Sequence, residues 1–166
     1  MLDKQSYREA MANLGAAVNV ITGRGADGRV GCTVSAVCSV TDEPPTLLVC
    51  INRSSQNNAA FKEAGALCVN VLSAEQRPIA ERFATRHISA DERFGLAEWD
   101  VLATGAPALR DALASLDCEI MSAMEVGTHT VFSCAVKAVR TGASGDGLMY
   151  FGRGYHRLGG SSSASA

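Results

Sequence analysis

The protein has 166 residues, the size of one domain, which excludes two complete domains such as a dinucleotide-binding unit beside a separate substrate unit. Hydrophobic residues make up 47% and charged residues 19%, too apolar for a disordered chain, and a net charge of −2 leaves no basic field for nucleic acid or anionic lipid. All apolar runs fall far short of the roughly 20 residues that span a bilayer, and no basic, apolar leader opens the sequence, so a soluble cytoplasmic protein is expected.

In chain order, Asp3 is placed to cap a first helix in which Tyr7, Ala10, Met11 and Leu14 form one apolar face and Gly15 is the stop. Residues 17–22 (AVNVIT) and 30–40 (VGCTVSAVCSV) read as two strands of a hairpin, with Asp27-Gly28 as its turn. The Asp42-Glu43-Pro44-Pro45 tetrad breaks the second strand, and 46–52 (TLLVCIN) is apolar enough to be buried on both faces. Ser54 and Ser55 then cap a helix through Phe61 that Gly65 ends, followed by a strand at 66–72. Ser73 and Gln76 form a capping box for a helix through Ile79, Ala80 and Phe83. Residues 85–107 form a polar, loop-rich excursion anchored by Trp99. Strands at 112–124 and 129–139 flank a Gly127-Thr128 turn, and 147–151 is a last short strand. The hairpin-rich order predicts a mainly β fold, an antiparallel barrel with peripheral helices, formed by residues 1–158 as a single domain. Residues 159–166 have the composition of a flexible tail.

Cys32, Cys38, Cys50, Cys68, Cys118 and Cys134 are widely spaced within apolar runs, so reduced, buried thiols are expected rather than disulfides. His87, His129 and His156 lie three or four residues from no other His or Cys, and no metal site is expected. Residues 23–28 satisfy the G-x-G-x-x-G pattern. The β-branched run that follows offers no helix N-terminus for a pyrophosphate, so this stretch is expected to be a hairpin loop.

Three places are candidates for chemistry, and each has a plainer alternative: an ordinary N-cap, a half-exposed strand facing water, and surface histidines. Residues 52–58 (NRSSQNN) join a strand to a helix start and supply hydroxyls, amides, backbone N–H groups and the Arg53 guanidinium, an anion cradle. Residues 33–39 alternate small hydroxyl and apolar side chains, which lets a flat ring approach the backbone. His129, after a tight turn, and His156, beside Arg153 and Tyr155, place titratable rings at strand ends. Nothing pairs a nucleophile with a base, so hydrolysis has no support.

The run 31–52 (GCTVSAVCSVTDEPPTLLVCIN), with 67–72 (LCVNVL), Gly127-Thr128-His129 and Tyr155-His156, resembles the short-chain flavin reductases, the reductase components of two-component flavin-dependent monooxygenases. The likeness covers about residues 5 to 158. It is strongest to the reductases of pyrimidine utilisation and 4-hydroxyphenylacetate hydroxylation, and the cob(II)yrinate diamide reductases share the layout. The resemblance implies a split β-barrel of Greek-key type, a homodimer, and reduction of FMN or FAD by NADH or NADPH for a partner monooxygenase. It also implies cofactor contacts from Thr33, Ser35, Ala36, Val37, Cys38 and Ser39 to the flavin ring and ribityl chain, and from Asn52, Ser54, Ser55 and Asn58 to its phosphate end. Arg82, Phe83 and Ala84 match a further flavin-proximal stretch, with Tyr155 and His156 near the same pocket. His129 is the implied catalytic residue, on the nicotinamide side, although Thr128 stands where many members carry Asp. A corrinoid reductase with tightly held flavin, or a non-catalytic flavin-binding module, would share these features.

Overall fold

The structure, a computed structural model, describes residues 2–159. Asp3 caps α1 (Lys4–Met11), its carboxylate accepting the Ser6 N–H at 2.8 Å. The helix ends at Met11, before Gly15, and none of its residues is buried: Tyr7, Met11 and Leu14 face outward rather than into a core. A short strand β1 (Ala16–Ala17) precedes β2 (Asn19–Gly25) and β3 (Gly28–Val34), which pair antiparallel through the turn at Ala26 and Asp27. The glycine-rich motif is therefore a hairpin, as its β-branched flank predicted.

The single strand expected over 30–40 is in fact two, β3 and β4 (Val37–Asp42), separated by Ser35 and Ala36. The reason lies in the sheet. After β5 (Pro45–Asn52) come α2 (Gln56–Ala64), β6 (Ala66–Val71), a 3-10 turn at Ala74–Gln76 and α3 (Arg77–Ala84). Then follow α4 (Ala90–Phe94), β7 (Trp99–Val101), β8 (Pro107–Leu109), β9 (Ala114–Val126), β10 (His129–Thr141), β11 (Gly147–Phe151) and β12 (Gly154–Leu158). Seven strands form one antiparallel sheet in the order β3-β2-β6-β9-β10-β5-β4. Its two edges, β3 and β4, are consecutive in the chain and joined by only two residues, so the sheet curls until those edges approach, without hydrogen-bonding to one another. All seven strands contribute to the enclosed core, which includes Ile21, Val34, Val37, Val49, Val69, Cys118 and Phe132, with Phe61 of α2 against it. β5 alternates rather than burying both faces: Leu47, Val49 and Ile51 are buried, whereas Leu48 and Cys50 are only half-covered.

A second core lies where α3 and α4 pack against the sheet, with Phe83, Phe94 and Leu109 among Val18, Val20 and Leu148. Trp99 anchors the 85–107 excursion as expected. Its ring meets Phe83 and Phe94 at 5.5 and 4.9 Å, and its Nε1 donates to the Phe94 carbonyl. The excursion carries α4, β7 and β8, which composition did not reveal. Asp117 is fully buried and accepts the Ala103 and Thr104 N–H groups at 2.7 Å, which holds this segment to β9. β1, β11 and β12 form a separate three-stranded sheet. Among the described residues no helix is long and apolar enough to cross a membrane, and no cluster of side chains is arranged to bind a metal ion. Cys68, Cys118 and Cys134 are buried as expected, whereas Cys32 and Cys50 are half-buried and Cys38 is exposed. Of the tail expected over 159–166, residues 160–166 lie outside the described residues.

Candidate functional site

A cavity of about 400 Å³ opens where β3, the β5–α2 joint and the α3–α4 joint meet. Local sequence builds each wall. β5 ends at Asn52, whose Oδ1 accepts both the N–H and the hydroxyl of Ser54 at 2.9 Å, turning the chain toward α2. Ser55 caps α2 by accepting the Asn57 N–H, and Asn57 Nδ2 donates to the Gly31 carbonyl at 3.1 Å, tying that helix start to β3. On the opposite wall, a Cβ on residue 31 would stand 2.7 Å from the Phe83 ring, so only glycine lets α3 pack this closely on β3. Arg93 then reaches back from α4, donating to the Phe83 and Thr85 carbonyls at 2.8 and 3.0 Å.

The electrostatics of the cavity are one-sided. Arg86, His87 and Arg93 line it together with the N-terminus of α2, and no carboxylate does. Burial pushes the Cys32 thiol up to about 12, so it stays neutral and offers Arg93 no counter-charge. His87 holds a left-handed φ of 59°, which presents its ring at the rim in a conformation that a histidine rarely takes. A cavity of this kind suits an elongated ligand that ends in a phosphate.

Of the sequence-derived residues, Thr33, Asn52, Ser54, Ser55, Phe83 and Ala84 line this cavity. Arg82 does not line it, and its Nη1 donates to the Glu92 carbonyl at 3.4 Å. Asn58 is buried beneath α2, donating to the Ile51 carbonyl and to Thr130 Oγ1, and does not line the cavity. Ser35 lines a different groove, against α1, and Ala36 is exposed in the link, its carbonyl accepting the Cys50 N–H. Val37, Cys38 and Ser39 line an apolar groove of about 410 Å³ that also contains Leu47, Val69 and Val136. His129 begins β10 directly opposite Asn52 of β5, exposed, with Nδ1 2.9 Å from Thr128 Oγ1. Tyr155 and His156 sit on β12, outside the cavity, Tyr155 packed against the second core and His156 Nε2 3.0 Å from the Phe151 carbonyl.

One expectation needs correcting. Arg53 does not serve the anion cradle, because Glu125 of the β9–β10 hairpin pairs with it at 2.8 Å and its Nη1 donates to the Gly127 carbonyl. The cations of the cavity are instead Arg86 and Arg93, with the His87 ring beside them, all three of which the sequence reading missed. They fall in an aperiodic polar stretch, and only the folding of α4 back over Phe83 brings them to β3. The one local hint was Arg93-Phe94 beside a Ser89/Glu92 capping box, which marks a short helix.

The antiparallel sheet thus carries a cationic cavity at the end of β5, with a helix start beside it. Residues 11–159 match the family described as "Flavin reductase like domain", and the chain belongs to that family. It is similar to the "FMN reductase (NADH) RutF" of Bradyrhizobium diazoefficiens, with 52% identity over 93% of this chain and 86% of that one. Among solved structures it is similar to a candidate flavin reductase of Haemophilus somnus 129PT, with TM-score 0.91 and 42% identity over 95% of this chain and 100% of that one. It also resembles BorF, the flavin reductase component of a bacterial two-component tryptophan halogenase, with TM-score 0.87 and 29% identity over 95% of this chain and 99% of that one.

Proposed function

We propose that the protein is an NADH-dependent FMN reductase that supplies reduced flavin to a partner monooxygenase. The observation that carries this reading is the cavity between β3, α2 and α3, where Arg86, His87, Arg93 and a capped helix start face one another without a carboxylate. Membership of the flavin reductase family and the 52% identity to a protein named FMN reductase (NADH) support it. The likeness to the reductase component of a two-component halogenase supports delivery to a separate flavin-dependent partner.

In this reading Ser54, Ser55 and the α2 N-terminus hold the flavin phosphate, joined by Arg86 and His87. Thr33, Asn52, Phe83 and Ala84 border the ribityl chain and ring. Ser35 to Ser39 and Arg82 stand outside this cavity and take no flavin contact in this reading. When bound, the nicotinamide and flavin supply the hydride transfer itself, so the protein needs no nucleophile or paired acid and base. Its task is to align two rings at about 3 to 3.5 Å and to exclude water between them. His129 beside Asn52, with Tyr155 and His156, serves the nicotinamide side.

We further propose that the curled sheet is a Greek-key split barrel, that residues 1–158 act as a single cytoplasmic domain, and that the working unit is a homodimer. The near-meeting of the β3 and β4 edges supports the barrel. Met121, Met124 and Val126 of the β9–β10 hairpin, all more than half exposed, support a covering second subunit.

The test is NADH oxidation by the purified protein with FMN, FAD and riboflavin in turn, alongside gel filtration. Flavin-dependent turnover with FMN favoured and released is the expected result. A yellow cofactor retained through the column would indicate the corrinoid-type reductase instead, and flavin binding without turnover a non-catalytic module.

A further inference from the structure

The turn that presents His129 is held by a side chain from another part of the chain. β9 pairs with β6 only from Ala114 to Glu119, so beyond Ile120 its outer edge has no strand beside it among the described residues. The β9–β10 hairpin runs on past that point and ends in the two-residue turn Gly127-Thr128. Arg53, the residue after Asn52, meets this end three times. Its backbone N–H donates to the Thr128 carbonyl at 2.9 Å, its Nη1 donates to the Gly127 carbonyl at 3.2 Å, and its Nη2 pairs with Glu125 at 2.8 Å. Lys62 of α2 holds the other Glu125 oxygen, also at 2.8 Å. The Lys62 ammonium and the Arg53 guanidinium together keep the Glu125 carboxyl below its ordinary range.

An ion pair between two half-exposed side chains adds little to stability. Its value here is geometric. The planar guanidinium bonds a carboxylate and a carbonyl at once, which an ammonium on a flexible stem does poorly. What this fixes lies one bond further on: Thr128 Oγ1 is 2.9 Å from His129 Nδ1, and Nε2 makes no hydrogen bond among the described residues. With the Gly127 and Thr128 carbonyls both tied to Arg53, the Thr128 hydroxyl and the imidazole bonded to it are held in one orientation. Buried Asn58 clamps the neighbouring rung, donating to the Ile51 carbonyl and to Thr130 Oγ1. The start of β10 is thus fixed from inside, and the turn depends on Arg53.

We propose that Arg53 is a positioning residue for His129, acting through Gly127 and Thr128, with Glu125 holding its guanidinium in place. The proposal rests on the reductase reading above, in which His129 serves the nicotinamide side, and adds the residue that sets its ring. Asn52 and Ser54, on either side of Arg53, both line the flavin cavity. One short segment therefore serves the flavin through its neighbours and the nicotinamide side through Arg53 itself.

The experiment compares wild type, Arg53→Gln, His129→Ala and the double variant. It measures KM for NADH, Kd for FMN and for riboflavin, and the imidazole proton resonances. Arg53→Gln is expected to raise the KM for NADH about fivefold, with both flavin Kd values within about twofold and the melting temperature within about 2 °C of wild type. Added to His129→Ala, it is expected to raise that KM by no more than about 1.5-fold, because the ring it positions is gone. The chain has three histidines, so His129→Ala identifies the His129 signal. Arg53→Gln is expected to move that signal while those of His87 and His156 stay.

FMN binding weakened about tenfold with riboflavin unaffected would overturn the proposal, since Arg53 would then be a phosphate ligand. Multiplying effects of the two substitutions would also overturn it, by placing Arg53 on the dinucleotide directly. So would an unchanged KM in an active enzyme, or an unmoved His129 resonance. If wild type does not oxidise NADH with FMN, the reductase reading fails, and the resonances alone decide whether Arg53 positions the ring.

Discussion

Thr33 on β3 donates its hydroxyl to the Ala80 carbonyl of α3 at 2.6 Å, which fastens one wall of the cationic cavity to the other. A residue that sequence pattern offered as a ligand contact is therefore first a strut. It fixes how far Phe83 and the α3–α4 joint stand from the strand. Thr33→Val keeps the shape but leaves the Ala80 carbonyl without this donor. It is expected to cost about 1 kcal/mol of stability and to raise the KM for FMN several-fold, whereas Thr33→Ser restores both. Denaturant titration and steady-state kinetics on the two variants check this.

Arg86 lines the cavity and, unlike Arg93, is not engaged with the backbone carbonyls of its own wall. Its guanidinium is therefore available to a phosphate. Arg86→Ala is expected to weaken FMN binding about tenfold and to leave riboflavin binding within about twofold, because riboflavin lacks the phosphate. Fluorescence titration with the two flavins separates a phosphate contact from general damage to the pocket.

His129 stands opposite Asn52 at the mouth of the site, outside the cavity itself. His129→Ala is expected to raise the KM for NADH by about fivefold or more while the Kd for FMN stays within about twofold. Equal losses for both ligands would place the ring on the flavin instead.

Asp117 is the buried carboxylate that closes the 102–106 segment onto β9, accepting two backbone N–H groups and the Thr104 hydroxyl. Asp117→Ala strands three donors in the interior and is expected to lower stability by about 3 kcal/mol or more. FMN affinity per folded molecule should change little, since no atom of this network lines the cavity. Urea unfolding of the variant, with flavin titration at low temperature, measures both.

Local chemistry made much of this fold legible. Asp3, Ser55 and the Ser73/Gln76 box start helical turns where their side chains predict, Gly65 ends α2 with a φ of 65°, and Gly127 turns the β9–β10 hairpin. The break at Ser35 and Ala36 carried no such mark: alternation runs through it, and the chain parts there only because β3 and β4 belong to opposite edges of a curled sheet. Arg53 shows the same limit from the other side. Beside Ser54 and Ser55 it resembled an anion ligand, yet Glu125 captures it from a hairpin far along the chain. Arg86, His87 and Arg93 are the counterpart, residues with no local signal that tertiary packing brings to the cavity. The Tyr7, Met11 and Leu14 stripe of α1 reads as one apolar face, and periodicity reports that amphipathicity without saying what covers it.

The central claim, that this cavity holds FMN for reduction by NADH, is tested most directly by mixing the protein with FMN and NADH under anaerobic conditions and following the flavin absorbance. Bleaching of about one FMN per NADH, far faster than in protein-free buffer and slowed by Arg86→Ala, is the predicted result. No acceleration over buffer with FMN, FAD or riboflavin would contradict it.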